Sequence, residues 1–309
     1  MPEAPAATPE QSAFLVSLLE QGLLIGTGEP GVYGRSAAFE SIRQAFDAFV
    51  TREAAGDRSE QVRFPPVLPR RHLESSGYLK SFPHLAGSIF SFDGTEQQAA
   101  QQEDLASRHE DWSGYQSMTD LVLVPAACYP VYPAIAARGP VQPGGLTIDA
   151  GASLVFRHEP SGDPARLQMF HQREMVRIGE PEQVVAWRDT WRTRALELLE
   201  RVGLEPDSEV ATDPFFGRSG RMLAANQRAQ ELKFEVQIQI AGPAPTAVAS
   251  FNYHQDHFAR TFDIVLASGG VPHTACLGFG LERVTLGLLH RHGLEIGAWD
   301  ATVRRHLWP

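Results

Sequence analysis

The sequence predicts an α+β fold, a mixed and mainly antiparallel sheet flanked by helices, on three observations. Two long strand-like runs, residues 146–156 and 167–178, are joined by the turn-rich stretch 160–164, which suggests an antiparallel hairpin. Residues 36–52 carry Ala38, Phe39, Ile42, Ala45, Phe46 and Phe49 at helical spacing. No internal repeat, heptad seam or second compositional regime divides the chain, so helices covering one mixed sheet are expected.

Taken in order, residues 4–9 are rich in Ala and Pro and suggest a frayed tail, with residues 11–309 forming one domain. A first amphipathic helix is expected over residues 11–24 and a second over 36–52. Pro65, Pro66 and Pro69 exclude helix interior and mark an extended segment. Residues 96–111, dense in Gln, Glu and Asp, predict a solvated surface helix. The short apolar run 120–124 predicts a strand that ends at Pro125 and delivers Cys128. Pro181 suits the first turn of a helix over 181–204, which carries Val184, Val185, Trp191, Leu196 and Leu199 as apolar positions. Strands follow at 233–240 and 246–251, with a turn at 242–245, and a last long helix over 281–292 follows Gly278 and Gly280.

Composition narrows the function classes. With 43% hydrophobic and 21% charged residues the chain can bury a substantial core. A net charge of −10 argues against a broad nucleic-acid surface, because phosphate binding draws on clustered Lys and Arg. No stretch approaches the roughly 18 to 20 apolar residues that span a bilayer, and the first residues lack the pattern of a secretory signal. A cytoplasmic setting is expected, where Cys128 and Cys276 remain thiols. Two cysteines are too few for a disulfide framework and by themselves suit buried core positions.

Chemistry concentrates in two segments. The first reads Phe156-Arg157-His158-Glu159, a polar turn, then Arg166-Leu167-Gln168-Met169-Phe170 through Glu174. This segment resembles motif 2 of class II aminoacyl-tRNA synthetases, and the resemblance implies that on a hairpin Arg157 reaches the α-phosphate of ATP, Glu159 accepts from the adenine amino group and Phe170 offers a stacking face. The second reads Cys276-Leu-Gly278-Phe-Gly280-Leu-Glu282-Arg283 and opens the last helix. Its glycines admit close backbone approach, and its similarity to motif 3 of the same family implies that Arg283 clamps the terminal phosphate of a bent ATP. Together the segments resemble motifs 2 and 3 of class II aminoacyl-tRNA synthetases. The proline-containing stretch 64–83 resembles, more loosely, the motif 1 region that helps build a homodimer interface in seryl-tRNA synthetases.

The resemblance extends to the amino-acid pocket. Where bacterial-type seryl-tRNA synthetases carry Thr-x-Glu, this chain reads Pro125-Ala126-Ala127-Cys128. The family fold would bring Cys128, Cys276 and Glu174 together, and two thiolates with a carboxylate leave a fourth tetrahedral position open on zinc. This composition is similar to the metal set of the zinc-dependent, archaeal-type seryl-tRNA synthetases. Thiolate catalysis is the other functional reading of the cysteines, but neither sits in a known catalytic signature. His254 and His257 could suggest a metal pair, although polar loop residues are the preferred reading. Lys233 and Glu235 resemble the Asp-Leu-Glu segment near the ATP and Mg²⁺ site of seryl-tRNA synthetases, or else Glu235 is an outward strand carboxylate. Ala247-Val-Ala249-Ser250 stands where those enzymes have Glu-Ile-Ser-Ser, so Ser250 and Glu235 remain as Mg²⁺ contributors, and Ala126, Glu174, Ala249 and Ser250 as amino-acid contacts.

The segment before motif 1 shows no sustained heptads or basic stripe, so unaided aminoacylation of tRNA is not expected. A zinc core of this type without a tRNA-binding domain resembles the bacterial amino acid:[carrier protein] ligases. That resemblance implies ATP-dependent activation of glycine or alanine and transfer to the phosphopantetheine thiol of a carrier protein. The cations in Phe215-Phe216-Gly217-Arg218, Arg221 and Arg228 either steer an acidic carrier or form a solvated face. The alternatives are a seryl-tRNA-synthetase-like enzyme serving another acceptor and a silent regulatory paralogue. Retention of Arg157, Glu159, Phe170 and Arg283 argues against silence.

Overall fold

The structure is a computed structural model that describes residues 6–213, 222, 224–225 and 227–309. Seven strands form the main sheet in the order β3-β7-β8-β12-β11-β10-β9. These are β3 (Glu60–Gln61), β7 (Leu146–Phe156), β8 (Met169–Gly179), β9 (Asp207–Val210), β10 (Lys233–Ile238), β11 (Thr246–Gln255) and β12 (His273–Gly280). Every pairing is antiparallel except β3 with β7. A second sheet of three strands orders β4 (Val67–Pro69), β6 (Gln116–Leu123) and β5 (Ser88–Phe92). A small ribbon pairs β1 (Leu24–Gly26) with β2 (Tyr33–Arg35).

One face of the main sheet is apolar because its strands alternate. Phe234 and Val236 of β10, Phe251 of β11 and Leu277 and Phe279 of β12 are buried on the same side. Against them lie Phe39, Ile42, Phe46 and Phe49 from helix Ala37–Glu53 and Trp191 and Leu198 from helix Pro181–Arg201. Val284 and Leu288 from helix Leu281–His292 complete that layer. The helix at Ala37 starts cleanly because the Ser36 hydroxyl accepts from Phe39 N, satisfying an otherwise orphaned donor.

Several elements differ from expectation. The first helix runs Pro9–Glu20, so it begins inside the expected tail and stops short of Leu24. Its start is set by a capping box between Thr8 and Gln11. Its end is set by Gly22, whose φ of +65° turns the chain into β1. The last helix spans Leu281–His292 as expected, while Cys276 and Gly278 before it lie in a strand, β12, not foreseen there. Gly278 lies within that strand in register with Glu174, and Gly280 ends it as the N-cap of the helix. His254 belongs to β11 rather than to a loop. The helix at Glu96–Ser107 buries no residue, in keeping with its polar sequence.

A buried ion pair fastens the sheet to its covering helix. Arg173 of β8 is 1% exposed and binds Asp149 of β7 through both terminal nitrogens, the Nη2 contact measuring 2.8 Å. Its Nε lies 3.2 Å from Asp47 on helix Ala37–Glu53. Replacing Arg173 with Leu strands two carboxylates in a low-dielectric setting. The expected loss is about 3–5 kcal/mol of unfolding free energy, measured as a fall in the denaturant midpoint. Removing a solvated pair such as Arg108 and Asp104 should shift it by less than about 1 kcal/mol.

Candidate active site

Opposite the apolar face, the strand register assembles a polar one. Glu174 of β8 pairs with Gly278 of β12, Gly278 with Ser250 of β11, and Ser250 with Glu235 of β10. One step along, Cys276 pairs with Asn252 and Asn252 with Lys233. Residues paired across strands share a face, so these side chains together floor a cavity of about 410 Å³. Ala249 borders the cavity, but its side chain alternates to the core-facing side, so it can offer only a boundary and no side-chain contact.

At one end stand two arginines aimed by main-chain carbonyls. Arg157 Nε donates to Pro125 O at 3.0 Å, and its guanidinium lies 5.5 Å from the centre of the Phe170 ring. Arg283 donates through Nε to Ala165 O and through Nη1 to Ala247 O, both at 2.8 Å. Fixed guanidinium planes of this kind suit oxyanions. Glu159, Leu167 and Phe170 border the same end. Arg166 does not line the cavity. It lies at its rim, 3.8 Å from both Glu159 and Asp163, where the short 160–166 turn carries it outward.

Glu282, which sequence reasoning passed over beside Arg283, organises this end. It is 1% exposed and accepts from His171 N at 2.8 Å and from Arg35 Nη1 at 2.6 Å. The His171 ring lies 2.7 Å from the same carboxylate. One buried acid thereby ties β2, β8 and the first turn of the last helix together. Lys233 departs from a free nucleotide contact. Its ammonium binds Asp213 at 2.6 Å and Glu235 at 2.8 Å. Burial alone would lower the Lys233 pKa, but the two carboxylates hold it above the usual lysine range. Asp213 is accordingly held below the ordinary carboxylate range against its own burial.

At the other end Cys128, Glu174 and Cys276 converge, with one ligand atom from each lying within 4.8 Å of the others. All three are buried. Burial pushes the Glu174 carboxyl up to about 7, although hydrogen bonds from both thiols oppose the rise. The Cys276 thiol is raised well above its ordinary value by its hydrogen bond to Cys128, by burial and by Glu174. The hydrogen bond from Cys276 lowers the Cys128 thiol, but burial and Glu174 outweigh it and leave it raised. Glu174 Oε2 is buried without a hydrogen-bond partner. Gly278 makes room for it, since a Cβ there would stand 2.7 Å from that oxygen. Three acids pressed together with an orphaned oxygen fit a cation, and two sulfurs with one oxygen suit zinc.

Around this trio stand Gln172 and Asn252, not singled out beforehand, and His254, read beforehand as a loop residue. Gln172 accepts from Ala127 N at 3.1 Å and so anchors the segment that carries Ala126 and Cys128. Asn252 Nδ2 and His254 Nε2 each lie 3.6 Å from Cys276 Sγ. Burial and the neighbouring His257 push the His254 pKa down to about 3, leaving the ring neutral. Strand alternation around Glu174 and Ser250 is the signal that points to Gln172 and Asn252. Of the residues considered for partner docking, Arg228 is exposed, while Phe215, Phe216, Gly217, Arg218 and Arg221 lie outside the described residues.

No protein-family model matches the chain. Among solved structures it superposes on the M. kandleri SerRS bound to A. aeolicus tRNASec with a TM-score of 0.81 at 19% identity, covering 99% of this chain and 62% of that one. The seryl-tRNA synthetase of Pyrococcus horikoshii complexed with ATP gives a TM-score of 0.69 at 16% identity, over 98% of this chain and 64% of that one. The chain thus spans less than two thirds of either structure, and these likenesses define the class II synthetase fold. The type-2 serine–tRNA ligase of Methanopyrus kandleri is 31% identical over 59% of this chain and 37% of its own length. Two proteins of Bradyrhizobium diazoefficiens, named amino acid–[acyl-carrier-protein] ligase 1 and 2, are 44% and 42% identical over 98% of this chain. They are matched over 93% and 90% of their own lengths. At that identity over nearly the whole of both partners, the chain belongs to the amino acid–[acyl-carrier-protein] ligase family.

Proposed function

We propose that the chain uses ATP to activate glycine or alanine as an aminoacyl-adenylate and passes it to the phosphopantetheine thiol of a carrier protein. The observation that carries this reading is a single cavity with two carbonyl-anchored arginines at one end and two thiols with an acid at the other. Zinc held by Cys128, Glu174 and Cys276 would supply a Lewis-acid position for the neutral substrate amine. Ala126, Gln172, Asn252 and the neutral His254 border that end, so a short uncharged side chain suits it.

In the first step a carboxylate oxygen of the amino acid attacks the α-phosphorus, and the bond to pyrophosphate breaks with its electron pair. Arg157 faces the α-phosphate and Arg283 the terminal phosphate, each offsetting charge that grows in the transition state. Glu159 accepts from the adenine amino group, and Leu167 and Phe170 wall the ring. Mg²⁺ enters with ATP. Glu235 and Ser250, neighbours across β10 and β11, would help hold it, and the salt bridge to Lys233 moderates the charge of Glu235. In the second step the carrier sulfur bonds to the carbonyl carbon, the bond from that carbon to the phosphate oxygen breaks with its electron pair, and AMP leaves while the thiol proton passes to solvent. No protein nucleophile is needed, and tRNA is not the acceptor in this reading.

The working unit in this reading is a homodimer formed through the 64–83 region and the adjoining three-stranded sheet. Phe90 and Met118, cross-strand neighbours there, are 56% and 40% exposed. No helix among the described residues is long and apolar enough to cross a membrane. A cytoplasmic setting suits two cysteines that must stay reduced to serve as ligands.

Cys128→Ser is expected to lose bound zinc and pyrophosphate exchange together. Elemental analysis finding no zinc in the wild-type protein, or full exchange in the variant, would remove the metal from this reading. Arg157→Ala and Arg283→Ala should each lower adenylate formation a hundredfold or more, about 2–4 kcal/mol of lost transition-state stabilisation. Near-normal exchange in both variants would show that the nucleotide lies elsewhere. With ATP and labelled glycine or alanine, holo-carrier should acquire hydroxylamine-sensitive label while apo-carrier and tRNA stay unlabelled. Equal labelling of apo-carrier, or charged tRNA, would reject the acceptor and leave the activation chemistry standing.

A further inference from the structure

His254, partly buried at the amino-acid end of the cavity beside one of the candidate metal thiols, carries no step of the chemistry above. It occupies an irregularity in β11, where the register with β12 shifts between Tyr253 and Gln255 and leaves His254 unpaired. Bulges of this kind re-aim a side chain. The re-aimed ring puts Nε2 3.6 Å from Cys276 Sγ and Nδ1 3.2 Å from Thr274 Oγ1. Thr274 is fully buried, two residues before Cys276 on the same face of β12. The Tyr132 hydroxyl lies 3.5 Å from the same Nδ1.

A neutral imidazole carries one N–H, and its position follows from what its other nitrogen accepts. A threonine hydroxyl has a proton to give, whereas a metal-bound thiolate has none. A Thr274 hydroxyl that donates to Nδ1 leaves Nε2–H to donate to Cys276. Asn252 Nδ2, at 3.6 Å, supplies a second donor to the same sulfur. Two anionic sulfurs and a carboxylate would give zinc a net negative site, rich in charge donated by the ligands. Hydrogen bonds into sulfur withdraw part of that charge and leave the open position more attractive to an amine.

We propose that His254 is a positioning residue, oriented by Thr274, whose Nε2–H hydrogen bond holds the Cys276 thiolate and tunes the metal for the substrate amine. The inference rests on the zinc reading above and concerns which groups outside the ligand set govern it. The full-length protein is loaded with Zn²⁺ for chelator competition and with Co²⁺ for absorption spectroscopy. Four forms are compared, namely wild type, His254→Phe, His254→Gln and Thr274→Val, each checked for an unchanged circular dichroism spectrum.

His254→Phe keeps the ring packed on Phe258 and Tyr132 but removes both nitrogens. It is expected to weaken zinc binding about 10-fold or more, to move the sulfur-to-cobalt charge-transfer band, and to raise KM for glycine while KM for ATP stays within about twofold. Thr274→Val, a nearly isosteric change two residues from the ligand, should do the same to a smaller degree. His254→Gln, whose amide nitrogen can reach the place of Nε2, should recover most of the affinity and the band position. Wild-type zinc affinity and an unmoved band in both His254→Phe and Thr274→Val overturn the inference, as does a Gln variant no better than Phe. Should His254→Phe misfold, the Thr274→Val and Gln spectra decide alone. Wild-type protein that binds neither ion overturns the metal reading itself, an outcome distinct from metal-replete wild type with indifferent variants.

Discussion

The close approach of Glu174 to Gly278 is the contact on which the site depends. A carboxylate in the middle of a seven-stranded sheet needs room that no side chain on the neighbouring strand can leave, and a glycine in register with it provides that room. Once the pair is set, alternation along β8, β12 and β11 decides everything beside it. Gln172, Cys276, Ser250 and Asn252 fall on the cavity side, and Met175, Leu277, Phe279 and Phe251 fall into the core. A shift of one residue in that pairing would exchange the two sets. Packing beneath the sheet and chemistry above it are therefore specified by the same register, and apolar burial below holds in place a polar arrangement that is costly by itself.

The two ends of the cavity are built on different principles. At the arginine end, charge is satisfied in advance. Arg157 and Arg283 are oriented by carbonyls, Glu282 is saturated by Arg35 and His171, and Lys233 is neutralised by two acids. At the thiol end charge is unsatisfied, with three raised acids and an oxygen that has no donor. A preorganised end can recognise a ligand without rearranging, and an unsatisfied end is completed by what binds it.

Much of this was legible in the sequence where partners are neighbours in the chain. The hairpin of β7 and β8, the helix at Leu281–His292 and the two arginines, Arg157 just past the end of β7 and Arg283 in the first turn of that helix, are local patterns. What was not legible depends on distant partners. Gly278 looks like a helix-entry glycine until Glu174, a hundred positions earlier in the fold's central hairpin, is seen across from it. Lys233 looks like a free cation until Asp213 and Glu235 are found on it. His254 looks like a loop residue because a bulge interrupts the alternation that would have revealed its strand. Cys128 and Cys276 have no ligand-like spacing, and residues 146–179 fold between them. Arg166 matches its motif by position yet leans to the rim, since direction within a turn is not written in spacing.

The Arg35–Glu282 contact spans 247 positions, from the second strand of the chain to the first turn of its last long helix. The arginine leaves the ribosome 247 positions ahead of the carboxylate. A nascent chain that has not reached residue 282 lacks both that acid and Arg283, so the arginine end of the cavity cannot form until the last long helix begins.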